Sequence, residues 1–145
     1  MFIKQISVFL ENTTGALKEM THVLGEKNID LMALSIADTE NFGIVRCIVK
    51  DNQIDEALEI LKANGYTTKM NNVICVRVPD RPQGLYEILE IVDKAGLAVE
   101  YIYSFFKSTG VDALLVLRLS DKDKGVEVFK ENGIKLFTQD ELNNI

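Results

Sequence analysis

The chain has no apolar run approaching the roughly 20 residues that a membrane-spanning helix needs, and its opening, MFIKQISVFLEN, carries neither a basic leader nor a small-residue cleavage site. Both absences give the expectation of a cytoplasmic protein with no membrane partner. Basic side chains are also scarce. Sixteen Lys and Arg stand against twenty-two Asp and Glu, for a net charge of −6. The deficit is even, because residues 1–70 and 71–145 each carry three more acidic than basic groups. No stripe exists that could neutralise a phosphate backbone, which argues against nucleic acid as a partner. There are two cysteines, Cys47 and Cys75, both inside apolar strand-like runs, with no CxxC and no histidine close by. This pattern excludes a zinc or redox motif and reads as two small buried hydrophobes. The single histidine, His22, lies about 200° around its helix from the apolar Met20 and has no partner spaced for acid–base work. Neither a Gly-rich phosphate loop nor a calcium loop occurs; DKDK at Asp121 lacks the glycine and distal glutamate of the latter. No catalytic residue, metal site or cofactor is expected, and so no enzyme.

What the chain does have is a repeat. Shifted by 68 residues, Leu17 falls on Leu85, Met20 on Ile88, Leu24 on Val92, Ile29 on Leu97 and Leu31 on Val99. KANGY at Lys62 likewise falls on KENGI at Lys130. Between these blocks the register slips by about two residues, which predicts a small insertion near Ser108–Gly110. Asn28 and Gly96 follow the first helix of each copy and Gly65 and Gly133 the second. All four are residue types that tolerate the left-handed backbone of a helix stop. The domain division is 1–70 and 71–145, the second ending in a short tail, QDELNNI.

Each copy reads strand, helix, strand, strand, helix, strand. In the first copy Ile6, Val8 and Leu10 alternate with Gln5, Ser7 and Phe9 over strand 3–10. Leu17, Met20, Val23 and Leu24 form the apolar stripe of a helix over 15–27. Strands over 31–38 and 43–50, a helix over 54–64 and a strand over 66–70 complete the copy. Its counterparts are strands 73–78, 99–107 and 113–120, a helix over 124–132 and a strand over 134–138. This order predicts the α+β class: two tandem ferredoxin-like βαββαβ domains, each an antiparallel sheet with helices on one face. Tyr101, Tyr103 and Phe105 share one strand face where the first copy has Ala33, Ser35 and Ala37. They are expected either to be covered by another domain or subunit, a homodimer included, or to wall a ligand's apolar side chain.

The stretch shared by both copies is the turn into the first helix, ENTTGAL at Glu11 and DRPQGL at Asp80. A helix start leaves backbone N–H groups unpaired and favours negative charge. Two readings stay open. Asn12, Thr13 or Thr14 can cap the helix, or a ligand carboxylate can occupy the N–H groups that small residues leave approachable.

The pattern strand–[Asn/Asp]-x-x-Gly-[small]-Leu-helix, set twice in a βαββαβ order, resembles the ACT domain over nearly the whole chain. The usual proline before the glycine is Thr14 in the first copy; the second has Pro82, followed by Gln83. The resemblance implies an amino acid bound between paired domains. One copy's turn supplies N–H groups, and the start of strand two in another copy supplies polar groups. Carried onto this chain, it nominates Asn12, Thr13, Thr14, Gly15, Ala16 and Leu17, then Asp80, Arg81, Pro82, Gln83, Gly84 and Leu85. The strand-two position is Asp30, suited to a ligand ammonium, and Ala98 in the second copy. Asp80 places a carboxylate where Asn12 has an amide, which favours the first turn as the site. The implied role is amino-acid-dependent regulation of a partner enzyme or pathway. The alternative is a ligand-free scaffold or regulatory subunit of an amino-acid-metabolism enzyme.

Overall fold

The computed structural model describes residues 1–11, 13–38, 42–106 and 112–144. The chain divides into two compact bodies, Lys4–Asn71 and Asn72–Ile145, with Met1–Ile3 counted in the second. The elements are β1 (Ile3–Glu11), α1 (Ala16–Gly25), β2 (Ala33–Asp38), β3 (Phe42–Ile48), α2 (Ile54–Ala63) and β4 (Thr67–Pro79). Then come α3 (Gly84–Lys94), β5 (Val99–Ser104), β6 (Asp112–Leu119), α4 (Lys122–Glu131) and α5 (Gln139–Asn143). The strand order is β2-β3-β1-β4 in the first body and β4-β6-β5 in the second, and every register resolved in them is antiparallel. This is the expected α+β architecture.

In the first body Ile6, Val8 and Leu10 of β1 meet Met20 and Leu24 of α1 and Ala57 and Leu61 of α2. In the second, Ile74, Val76 and Val78 meet Ile88 and Val92 of α3 and Val126 and Phe129 of α4. Period-2 and period-3.6 apolar positions close on each other in both, leaving the helices on one face of each sheet. The two-residue slip is visible in the registers: Ile6 pairs with Cys47, whereas Ile74 pairs with Leu117. The first copy recovers the 68-residue register through an extra 3₁₀ turn, Asp51–Gln53, before α2. The proposed insertion at Ser108–Gly110 and the last residue of the expected 99–107 strand lie outside the described residues.

The helix stops follow the glycines and Asn28. Asn28 has φ 59° and Gly96 has φ 73°, with Gly65 and Gly133 left-handed as well. The amides of Ile29, Tyr66, Leu97 and Ile134 each reach back to a carbonyl five residues earlier, at 2.9 to 3.1 Å, closing α1, α2, α3 and α4 by the same Schellman geometry.

Two expectations need correction. The strands expected at 66–70 and 73–78 are one continuous β4, with no break at Asn71-Asn72, because Ser7 Oγ donates to Asn71 Oδ1 at 3.2 Å and helps hold that segment extended. Gln5 and Ser7, on the polar face of the β1 alternation, are buried. The strand expected at 134–138 shrinks to a bridge between Leu136 and Val76, flanked by the bonds Arg77 N–H to Lys135 O and Phe137 N–H to Cys75 O.

The tail QDELNNI carries the short helix α5. Thr138 Oγ1 caps α5 by accepting from the Glu141 amide, and Glu141 meets the Arg77 guanidinium at 2.6 Å. Phe137 stands edge-on to Phe105 with ring centroids 6.3 Å apart and carries the Arg77 guanidinium 4.9 Å over its face. Phe105 is thus buried with the chain's own C-terminal segment beside it; Tyr103 is buried too, and Tyr101 stacks on it. Leu142 is wholly buried, so Leu142→Ala should cost about 2–5 kcal/mol. Urea denaturation checks this; a change below half a kcal/mol would show that the tail adds nothing to the core.

Candidate functional site

The two turns use one hydrogen-bond scheme. In the first, Thr13 N–H reaches Glu11 O at 2.9 Å, Ala16 N–H reaches Thr13 O at 3.2 Å and Glu19 N–H reaches Gly15 O at 3.0 Å. In the second, Arg81 N–H reaches Pro79 O, Gly84 N–H reaches Arg81 O and Glu87 N–H reaches Gln83 O, at 2.9, 3.1 and 3.0 Å. Each bond is the other moved by 68 residues. The residue before each helix is left-handed, Gly15 at φ 85°, ψ −5° and Gln83 at φ 74°, ψ −9°. That is the third position of a type II turn, whose second position suits proline, as Pro82 supplies.

The glycine has therefore moved by one position between copies. Gly15 answers the backbone conformation, and a Cβ there would meet open space. Gly84 answers packing: a Cβ would overlap the Pro79 carbonyl oxygen. The non-glycine Gln83 bears the left-handed strain.

Neither Gly15 nor Gln83 gives its helix a side-chain cap. Thr13 and Thr14, nominated as caps, have exposed side chains; Asn12 lies outside the described residues. The turns differ in what surrounds them. The second is dressed by side chains: Arg81 pairs with Glu87 at 2.8 Å and donates to Pro82 O at 3.2 Å. Beside it a cleft of about 230 Å³ is lined by Arg77, Pro79, Gly84, Glu87, Asp112 and Lys135, among others. Arg77 bridges Asp112 at 3.9 Å and Glu141 at 2.6 Å. In the first copy the positions of Arg77 and Asp112 are held by Phe9 and Phe42, whose rings meet edge-on at 6.1 Å. An ion pair in one copy is an aromatic pair in the other. Nothing in the sequence flagged Arg77, because its partners are 35 and 64 residues away.

Asp30 does not join the first turn within its own body. It follows α1, whose ten residues set the two ends about 15 Å apart. Its amide donates to Gln53 Oε1 at 3.3 Å, and Gln53 Nε2 donates to Asn28 O at 2.9 Å. Ala98 is held similarly, its amide donating to Ser120 Oγ at 3.0 Å. His22 is exposed and sits 3.0 Å from Glu26 one helical turn on. Among the described residues no cluster of three or more His, Cys, Asp or Glu is placed to hold a metal ion, and no helix is long and apolar enough to cross a membrane.

Both bodies are of the βαββαβ type and repeat one strand-to-helix turn, in which neither Gly15 nor Gln83 gives a side-chain cap. The model of the ACT domain pair matches residues 1–145, and the chain belongs to that family. It is 38% identical to a crystallised protein of Bacteroides thetaiotaomicron, covering all of this chain and 98% of that one with a TM-score of 0.87. It is also similar in fold to the ligand-free regulatory subunit of aspartate kinase from Thermus thermophilus, at 16% identity, 88% and 90% coverage and a TM-score of 0.62. The corresponding subunit from Thermus flavus gives 16% identity, 88% and 90% coverage and 0.61. No curated protein matches the chain.

Two outcomes follow. Burial pushes both thiols from an ordinary 9.0 up to about 12; for Cys75 the Arg77 charge works against that rise and Glu141 adds to it. A raised folded pKa means the stability is intact below pH 9 and is lost as pH climbs toward 12, where only the unfolded chain readily ionises. Ellman's reagent should therefore label neither cysteine at pH 8 without denaturant; rapid labelling of either would contradict their burial. Gln83→Gly should gain about 0.5–1 kcal/mol, relief of left-handed strain outweighing the added chain entropy. An unchanged or lowered melting temperature would show that the Gln83 side chain compensates for its backbone.

Proposed function

We propose that the chain is a non-catalytic, amino-acid-responsive regulatory protein whose ligand carboxylate binds the turn formed by residues 12–17. One observation carries the reading: the helix start after Gly15 has no cap from a described side chain and is open above the glycine. The partial positive charge of that end and the Leu17 and Lys18 amides suit a carboxylate without any cationic side chain. The copy-two turn, residues 80–85, is the weaker candidate, since the Arg81–Glu87 pair lies over it and Asp80 is anionic. Asp30 of another ACT unit is the expected partner for the ammonium. The regulated partner is expected to be an enzyme, in keeping with the regulatory-subunit role named for the Thermus fold neighbours.

The test is thermal shift with the twenty amino acids. A ligand at a hundred times its Kd stabilises by about 2.7 kcal/mol, or about 5–11 °C at roughly 2–4 °C per kcal/mol for a chain of this size. Thr14→Asp separates binding from folding. A carboxylate beside the helix start keeps or raises the baseline melting temperature through the dipole, yet repels the ligand and removes its response. No shift with any amino acid at millimolar concentration would overturn the proposal in favour of a ligand-free scaffold.

A further inference from the structure

Asparagine followed by glycine is the most labile junction a peptide chain carries, because glycine leaves its own nitrogen unhindered for attack on the asparagine amide. The chain has this pair twice, Asn64-Gly65 and Asn132-Gly133, at the same place in each copy. All four residues are exposed to water. The fold explains why both pairs are there. Gly65 at φ 84° and Gly133 at φ 69° hold the left-handed stops of α2 and α4, a conformation that glycine adopts without a steric cost. Each asparagine closes the same helix end, Asn64 Nδ2 donating to Ile60 O and Asn132 Nδ2 to Val128 O, both at 2.8 Å. These bonds also restrain the chemistry. Cyclisation needs the glycine nitrogen, freed of its proton, to reach the asparagine Cγ. In both stops that N–H donates instead to a helix carbonyl, Gly65 to Lys62 O and Gly133 to Lys130 O at 3.1 Å. Reaction therefore waits for the last helical turn to open.

The two helix ends are not equally guarded. α2 sends Ile54, Ala57 and Leu61 into its core, with Leu58 and Ile60 packed against it, and it leads into the 13-residue β4. α4 sends Val126 and Phe129 into its core and carries Gly125 where α2 has Ala57. It leads into a segment tied to β4 by the bridge from Leu136 to Val76. We propose that Asn132-Gly133 is a spontaneous deamidation site, opened by fraying of α4, and that Asn64-Gly65 is its guarded counterpart. The Gly133 nitrogen, its proton lost to water, bonds to Asn132 Cγ; the Cγ–Nδ2 bond breaks and ammonia leaves. Water then opens the succinimide ring at either carbonyl, giving aspartate or isoaspartate. Either product puts a carboxylate at the negative end of the α4 dipole, in place of the donor to Val128 O. Isoaspartate also adds a carbon to the backbone, which disrupts the spacing of the bond from Ile134 N–H to Phe129 O. The change loosens the segment that carries Phe137 and α5. The inference does not depend on the ligand reading.

Peptide mapping by mass spectrometry tests it on the full chain, incubated at neutral pH with and without guanidinium chloride. Unfolded, the two sites should convert at similar rates. Folded, both should slow, and Asn132 should convert about fivefold faster than Asn64, the factor that an interior glycine in place of alanine brings to helix opening. The product at 132 should include isoaspartate, detected as methyl transfer by an S-adenosylmethionine-dependent isoaspartyl methyltransferase. Asn132→Asp, which copies the charge change alone, should speed tryptic cleavage after Lys135, and Asn64→Asp should leave that cleavage unchanged. Conversion of Asn64 before Asn132, equal rates in the folded chain, or a folded rate as fast as the unfolded one would overturn the proposal. So would an Asn132 that stays intact through months of incubation. Unchanged cleavage in Asn132→Asp would overturn the loosening.

Discussion

Everything distinctive in this chain depends on one backbone constraint: a strand must reverse into a helix across a residue with positive φ. The type II turn ending at Gly15 or Gln83 sets the entry angle of the first helix of each copy. Once α1 and α3 leave at that angle, their apolar stripes fall on β1 and β4. Met20 and Ile88 then take corresponding buried positions in the two cores. The same constraint leaves the helix start without a cap from any described side chain, because the N-cap position is occupied by the turn's left-handed residue. Fold and candidate site are therefore consequences of one piece of geometry.

The copies have used that geometry differently. In the first, glycine meets the conformational demand, and Phe9 stands against Phe42. In the second, glycine has shifted to the packing position, Gln83 bears the strain, and Arg77, Arg81, Asp112 and Glu87 surround the turn with ion pairs. Duplication kept the hydrogen bonds, which the backbone makes, and released the side chains. The two turns share a backbone and differ in the side chains around it.

Much of this was legible beforehand, for physical reasons. Local signals are written in residue spacing: the apolar periods of β1 and α1, the left-handed stops at Asn28, Gly65, Gly96 and Gly133, and the 68-residue register with its two-residue slip. What was not legible depends on partners far along the chain. The burial of Gln5 and Ser7 depends on what the fold packs against β1. Arg77 looks like an interruption in an apolar strand until Asp112 and Glu141 arrive from elsewhere. The tail's hold on the fold depends on Leu142, which is buried only once the chain has folded. The distance between Asp30 and the first turn is likewise a property of α1 as a rod, invisible in a motif.

The most direct measurement of the central claim is an amide-resolved NMR titration of the chain with amino acids. If the open helix start is the carboxylate site, the Leu17 and Lys18 amide resonances should move saturably and shift downfield as their N–H groups gain an anionic acceptor. The equivalent Leu85 and Tyr86 amides should stay in place. Saturable shifts at Leu85 and Tyr86 with Leu17 and Lys18 unmoved, or no saturable shift at either turn, would contradict the account.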